Sequence, residues 1–151
     1  MSTQIGPLHV RRSILIDASP EQVWQEFGTL DQIRAWLGIG QTIHQFDLEP
    51  GGKVDLSVEI DGAEHHFGGS ILVLDAEKEL TLENQWQSPN EWPVPTYWTF
   101  LLSPLYAGTH IEFFHHGFEG LGSDAADNLQ GYEEGWTDRH LIALRAIVEG
   151  K

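Results

Sequence analysis

The alternation of hydrophobic and polar positions divides the first part of the chain into one extended segment and two helical segments. Residues 9–17, HVRRSILID, are rich in β-branched and aliphatic side chains and predict a first strand. In the following SPEQVWQEF, Ser19 can cap a helix and Gln22 completes a capping box. Thr29 and Gln32 repeat this spacing in TLDQIRAWLG. The sequence therefore predicts two short helices directly after the first strand.

From residue 41 onward the hydrophobic period changes from about 3.6 to 2. The change is clearest in KVDLSVEID, residues 53–61, where every second side chain is aliphatic. The turn sequences PGG and DG flank this segment. Further segments of the same kind are HHFGGSILVLDA, ELTLENQW, PTYWTFLLSP and THIEFFHHGF. Together they predict a meander of about six antiparallel strands.

The helical period returns after GFEGLGSD and continues to Gly150. Acidic Asp124 and Asp127 lie near the start of this segment, and Arg145 and Lys151 lie near its end, as the helix dipole favours. At 1.5 Å per residue, some 26 residues would form a rod about 40 Å long. We expect this single long helix to lie against the concave face of the sheet.

These elements predict an α+β fold with a curved sheet of six to seven antiparallel strands wrapped around a long C-terminal helix. The 151 residues fit one domain, spanning residues 1–151. Eight Lys and Arg against 23 Asp and Glu give a formal net charge of −15, which disfavours nucleic acid and anionic membranes as partners. The chain has no cysteine and no stretch of about 18 apolar residues, so we expect a cytoplasmic protein without membrane insertion.

The order of these motifs resembles the SRPBCC or START-like superfamily, whose helix-grip fold is shared with birch-pollen-type allergens and polyketide cyclases. Within it the chain is most similar to the Aha-type branch, the "activator of Hsp ATPase homologue" domains. The segments that carry the resemblance span residues 12 to about 148: IDASPEQVWQEF, AWLG, PGGKVDL, GGSILVLDAEKELTLENQW, TFLLSP, GTHIEFFHHGF and GW. The resemblance implies a cavity between the sheet and the C-terminal helix.

The family pattern before the last helix reads Gly-Thr, alternating aliphatics, His, any residue, Gly, Phe. His115 matches the histidine of this pattern, and His116 is the variable neighbour. Strand alternation gives the same assignment, with His115 facing the cavity beside Phe113 and His116 facing outward. His140 is a departure, because relatives usually place an aliphatic residue one helical turn after Gly-Trp.

The eight histidines raise the alternative of a metal site, since they include the adjacent pairs His65-His66 and His115-His116. Neighbouring residues of a strand point to opposite faces, so neither pair can readily chelate one ion. The sequence also has no His-x-x-x-His helix motif. We therefore expect no metal and no other cofactor.

Catalysis is a second alternative, in the form of an enzyme of the polyketide cyclase or hydrolase type. His115 and His140 could meet between sheet and helix and act as acid and base, with Glu133, Arg12 or Asn84 as partners. Against this, the sequence has no nucleophile motif, phosphate loop or recognisable carboxylate pair. An enzymatic role is therefore the weaker interpretation.

Binding of a small, largely hydrophobic ligand is the interpretation that the sequence favours. Six Trp, seven Phe and three Tyr form a large aromatic complement, and aromatic walls with a few polar groups are typical of binding cavities. The loop around Trp92 could form a rim or lid. The predicted lining residues are Phe46, Leu56, Trp86, Trp98, Phe100, Phe113, His115, Trp136 and His140.

Two expectations concern partners. The family name raises a minor alternative, a chaperone-associated, protein-binding role. A homodimer through an edge strand or exposed aromatic residues also fits the sequence, although no motif requires it.

Overall fold

Seven antiparallel strands form the centre of the structure, a computed structural model that describes residues 3–151. They pair in the order β1-β7-β6-β5-β4-β3-β2, so β1 and β2 are the sheet edges. The strands are β1 (His9–Ile16), β2 (Thr42–Phe46), β3 (Lys53–Ile60), β4 (Ala63–Asp75), β5 (Glu79–Trp86), β6 (Thr96–Leu105) and β7 (Gly108–His116).

Four α-helices complete the fold: α1 (Pro20–Trp24), α2 (Leu30–Leu37), α3 (Ala125–Gly135) and α4 (Arg139–Glu149). Short 3₁₀ segments follow α1, at Gln25–Phe27, and precede α3, at Phe118–Asp124. The predicted α+β class and helix-grip architecture are thereby confirmed. Within residues 3–151, none of the helices has the length and apolarity that a membrane crossing requires.

The two short helices begin at the predicted caps. The Ser19 hydroxyl accepts a hydrogen bond from the backbone N–H of Gln22, and the Gln22 side chain accepts one from the backbone N–H of Ser19. The Thr29 hydroxyl likewise accepts from the backbone N–H of Gln32. These bonds satisfy N–H groups that a helix start leaves without partners.

One face of the sheet is covered by helices and holds the main core. Phe100 of β6 lies at its centre, with its ring 5.7 Å from that of Phe27 and 5.6 Å from that of Trp36. Side chains two residues apart on a strand share a face, so Trp98 lies on the same side as Phe100. The buried faces of α2 and α4 pack against this surface.

The C-terminal helical region is divided into α3 and α4, unlike the single rod predicted from the sequence. Trp136 adopts an extended conformation, with φ −82° and ψ 106°, immediately after α3 ends. Arg12 of β1 stabilises this end, because its guanidinium donates to the carbonyl oxygens of Trp136 and Glu133, each at 2.9 Å. The break turns the Trp136 side chain inward, against Trp98.

The opposite face of the sheet is partly covered by the N-terminal segment, residues 3–8. The Thr3 hydroxyl hydrogen-bonds the Glu79 carboxylate, and the backbone N–H of Leu8 donates to Glu119 at 2.8 Å. His116 lies on this face, as strand alternation predicts, but it is only 3% exposed. The prediction that His116 faces outward is therefore correct in direction and wrong about solvent exposure, because the covering segment could not be inferred from local patterns.

A chain of hydrogen bonds crosses this face from His116 to Glu79. His116 Nε2 lies 2.8 Å from the hydroxyl of Thr99, Thr99 lies 2.8 Å from the hydroxyl of Thr81, and Thr81 donates to Glu79 at 2.8 Å. The carboxylate end of this chain implies that each hydroxyl donates toward Glu79, with the Nε2–H of His116 as first donor. Burial lowers the pKa of His116 from 6.5 to about 4.

Candidate functional site

A cavity of about 370 Å³ opens between the helix-covered face of the sheet and the C-terminal helices. Its size lies within the range of small-molecule pockets. The sheet side is lined by Val58, Phe67, Trp86 and Trp98, and the helix side by Asp127, Asn128, Gly131, Tyr132, Gly135, Trp136, Arg139 and His140. The segment after α2 completes the wall with Ile39, Gly40 and Gln41.

The structure places four of the nine predicted lining residues at this cavity: Trp86, Trp98, Trp136 and His140. The other five are buried beside it, in the core or in the layer behind the wall: Phe46, Leu56, Phe100, Phe113 and His115. The inward orientation expected from strand alternation explains their burial. It does not bring them to the open space, and their contact with a ligand stays a prediction.

His115 is fully buried, and both of its ring nitrogens bond to protein groups. Trp136 Nε1 donates to His115 Nδ1 at 2.9 Å, and His115 Nε2 lies 2.8 Å from the hydroxyl of Thr96. An indole N–H can only donate, so Nδ1 must be unprotonated and the proton of the neutral ring resides on Nε2. Burial, followed by the proximity of His116, lowers the pKa of His115 well below 6.5.

Trp136 separates the two histidines that were expected to meet. Its indole bonds to His115, while its ring lies 5.1 Å from that of His140, in an edge-to-face contact. Of the proposed partners, Asn84 approaches His115 at 3.5 Å, whereas Arg12 and Glu133 pair with each other at 3.1 Å. The structure does not assemble these groups into an acid–base pair.

His140 lines the cavity and has one buried ring nitrogen without a partner among the described residues. Its Nε2 lies 2.8 Å from the carbonyl oxygen of Ile39, which can only accept, so Nε2 carries the proton. Burial lowers the pKa of His140. The hydrogen bond to the Ile39 carbonyl raises this pKa, and the positive charge of Arg139 lowers it, but burial has the largest effect. The remaining nitrogen, Nδ1, is an acceptor and has no partner among the described residues.

Trp98 also lines the cavity and has a second buried polar atom without a partner. Its Nε1 is a donor without a partner in the part of the chain that the structure describes. A buried polar atom without a partner costs about 1–3 kcal/mol relative to a paired one. Two wall residues therefore each carry a buried polar atom, one donor and one acceptor, that the described residues leave unsatisfied.

The sequence interpretation missed most of the helix side of the cavity. Tyr132 lies over the site, accepts a hydrogen bond from Trp86 Nε1 at 3.1 Å, and has its pKa raised to about 12 by burial. Gly131 and Gly135 are four residues apart on α3, and a Cβ added at either would meet no atom within 4 Å. The recurrence of glycine at helical spacing was the signal in the sequence that marks open space on this face.

The loop around Trp92 lies next to the cavity without lining it. The Trp92 ring is 6.3 Å from that of Trp86 and 6.1 Å from that of Tyr132, both of which are wall residues. The Gln85 side chain fixes the loop by bonding to the backbone N–H and carbonyl of Trp92. That this loop forms a rim or lid of the cavity stays a prediction.

Potential metal ligands meet at a different place, on the opposite face of the sheet. One ligand atom from each of His44, Glu64 and His66 lies within 4.8 Å of the others. Alternation does separate His65 from His66, as the sequence predicts. His44 belongs to another strand, so the pairs of adjacent histidines in the sequence do not reveal this cluster.

Comparison with solved structures shows the same fold at low sequence identity. Protein CV1439 from Chromobacterium violaceum is 22% identical, with a TM-score of 0.71 over 95% of this chain and 99% of that chain. The Aha1 dimer from Colwellia psychrerythraea is 20% identical, with a TM-score of 0.63 over 93% and 96%. DynU16, a putative protein in the dynemicin biosynthetic locus, is 14% identical, with a TM-score of 0.63 over 97% of this chain and 49% of that chain.

Sequence comparison identifies the family. Among curated proteins, none matches this sequence. The family model described as "Activator of Hsp90 ATPase homolog 1-like protein" matches residues 17–149, which include the capped helices, all strands from β2 to β7, and both C-terminal helices. The chain therefore belongs to the family of activator of Hsp90 ATPase homolog 1-like proteins.

Proposed function

We propose that this protein binds a small, largely hydrophobic molecule in the cavity between the sheet and the C-terminal helices. The observation that carries the proposal is the cavity itself, about 370 Å³ in volume and walled on the sheet side by Val58, Phe67, Trp86 and Trp98. Removing an apolar ligand from water against such a wall is favourable by roughly 25 cal/mol per Å² of buried apolar surface.

The ligand has a polar end that both donates and accepts a hydrogen bond. His140 Nδ1 offers an acceptor and Trp98 Nε1 offers a donor, and neither has a partner among the described residues. A hydroxyl or a neutral carboxylic acid group supplies both partners once these buried atoms turn toward the cavity. Arg139 adds a positive charge at the wall of the cavity, which attracts the partly negative oxygen of such a group.

The enzymatic alternative has less support than binding. His115, its proposed acid or base, has both ring nitrogens engaged by Trp136 and Thr96 and has its pKa lowered well below 6.5. A general base near neutral pH needs a free nitrogen and a pKa near the working pH. His115 is better described as a structural link between the sheet and Trp136.

The assembly state belongs to the same proposal. The Colwellia relative is described as a dimer, and β1 and β2 of this chain are edge strands, so a homodimer through one of them agrees with the sequence expectation. A chaperone-associated role is supported by the family description, and no surface of the described residues favours it over ligand binding.

Gly131 provides a direct test of the cavity. A leucine at this position would extend into the cavity mouth, because a Cβ there meets nothing within 4 Å. Gly131→Ala is the matched control, which should stabilise α3 by about 0.5–1 kcal/mol and leave most of the cavity open. We expect Gly131→Leu to weaken binding of anilinonaphthalene sulfonate or of a copurified ligand at least about tenfold, with the wild-type fold retained.

The measurement is fluorescence titration, since three tryptophans line the cavity: Trp86, Trp98 and Trp136. Native mass spectrometry of the freshly purified protein would detect a copurified ligand directly. Equal affinities of Gly131→Leu and wild type for the probe would place binding elsewhere and reject the proposal.

A further inference from the structure

A cluster of titratable side chains lies outside the cavity, on the sheet face opposite the helices. It brings together His44 of β2, Asp55 and Ser57 of β3, and Glu64 and His66 of β4. The rings of His44 and His66 are stacked, with centroids 4.9 Å apart and planes 27° apart. Two imidazoles and a carboxylate form a donor set that suits zinc and similar transition metals.

His44 lies at a β-bulge on the outer face of β2. Ile43 pairs with Leu56 and Gln45 pairs with Asp55, which leaves His44 as the extra residue on β2. Ile43 and Leu56 are buried in the core, so the neighbouring His44 points to the opposite face. On β4, Glu64 and His66 are two residues apart and share a face, so both can meet His44 there.

The partners of the two histidines resemble the supporting shell of a metal centre. Asp55 Oδ1 lies 2.9 Å from His66 Nδ1, and the Ser57 hydroxyl lies 2.7 Å from His44 Nε2. A ligating histidine usually donates its second ring N–H to a carboxylate or similar acceptor, which fixes its orientation. With Nδ1–H donated to Asp55, Nε2 of His66 is the nitrogen left to bind an ion, and it faces Glu64.

Glu64 already lies close to the ring nitrogen that would share an ion with it. His66 Nε2 is 2.6 Å from Glu64 Oε1. The carboxylate and the imidazole therefore converge on one point at the surface of the sheet.

We propose that His44, Glu64 and His66 bind one divalent transition-metal ion of the zinc type, with Asp55 and Ser57 as orienting partners. Ligand atoms on a tetrahedral zinc ion lie about 3.3 Å apart, given bonds of about 2.0–2.1 Å. The three ligand atoms are already within 4.8 Å of one another. His44 and Glu64 are exposed, and His66 is half-buried, so small side-chain rotations close the remaining gap. The site is independent of the ligand cavity.

The test is isothermal titration of the untagged full chain with zinc chloride at about pH 7.5, where an unpaired imidazole is neutral. We expect one zinc ion per chain and no displacement by excess magnesium, which prefers oxygen ligands. Asp55→Asn should weaken zinc binding about 10–100-fold, and His44→Ala or His66→Ala by at least as much.

His65→Ala is the matched control, because the His65 side chain lies on the other face of β4, where it bonds to Asn90 at 2.7 Å. It should keep wild-type zinc affinity. Gly131→Leu should also keep it, which separates failure of this site from failure of the cavity. If no zinc binds, or if His65→Ala and His66→Ala weaken binding equally, the cluster is only an ion-pair network and the proposal is wrong.

Discussion

At the scale of single residues, the adjacent His115 and His116 have different partners because their side chains point to opposite faces of β7. His115 accepts from Trp136 on the helix-covered face, and His116 begins the hydrogen-bond chain to Thr99 on the other face. Both rings are neutral in the folded protein, because burial lowers the pKa of each. Protonation of either ring at low pH therefore destabilises the folded state.

His116 makes a measurable contribution to acid sensitivity. In the unfolded chain it binds a proton below about pH 6.5, whereas in the folded chain it does so only near pH 4, so falling pH favours unfolding in this window. At about 1.4 kcal/mol per pKa unit, wild type should lose roughly 3 kcal/mol more than His116→Gln between about pH 7 and pH 4. Urea unfolding at several pH values measures this difference.

His110→Gln is the control for this experiment, because His110 lies on the same strand but is more exposed. It should keep the pH dependence of wild type. A His116→Gln variant with the same pH dependence as wild type would show that the buried ring does not control acid stability.

At the scale of secondary-structure elements, the end of α3 depends on a side chain from β1. Arg12 donates to the carbonyl oxygens of Trp136 and Glu133, which a helix end leaves without intrahelical partners. Arg12 also forms an ion pair with the Glu133 carboxylate, which is 54% exposed. The hydrogen bonds to the backbone should contribute more to the free energy of unfolding than the ion pair does, because exposed ion pairs contribute little.

Arg12→Met separates the two contributions. It keeps the apolar stem and removes the donors, and we expect it to lower the free energy of unfolding by about 2 kcal/mol or more, since hydrogen bonds from charged groups are worth about 1.5–3 kcal/mol each. Glu133→Gln removes only the ion pair and should cost less than about 1 kcal/mol. Chemical denaturation compares them, and equal losses would contradict the capping role.

Elements with local signals could be predicted from the sequence, and elements set by distant contacts could not. The caps at Ser19 and Thr29 act within four residues, and both are present. The break at Trp136 had weak local signals, a glycine before it and two polar residues after it, and it depends on Arg12, more than a hundred residues away. The bulge at His44 arises from pairing with β3, so alternation along β2 alone could not reveal it.

At the scale of the whole molecule, the N-terminal segment covers part of one face of the sheet, near His116. Thr3 reaches Glu79 and Leu8 bonds to Glu119, so the segment lies between two distant parts of the chain. Alternation along β7 predicts the face of His116, whereas its burial depends on contacts made by distant segments of the chain. Four of the predicted lining residues lie at the cavity, and its helix side required the positions of α3 and α4.

Removing residues 1–7 tests the role of this cover. Water should then reach His116, and its pKa should rise from about 4 toward 6.5, because burial is the main cause of the lowered value. NMR titration of the histidine ring protons measures the change. His115, covered from the other side, should keep its lowered pKa and serves as an internal control. An unchanged His116 pKa in the shortened protein would mean that the strands alone exclude water.

The division of the C-terminal helix has a kinetic consequence. α4 buries His140, Leu141, Leu144 and Val148, whereas α3 buries only Ala125. Local opening requires less free energy where few apolar groups are buried. We therefore expect α3 to separate from the sheet while α4 stays in place, so that the residence time of the proposed ligand would follow this partial opening rather than unfolding of the domain.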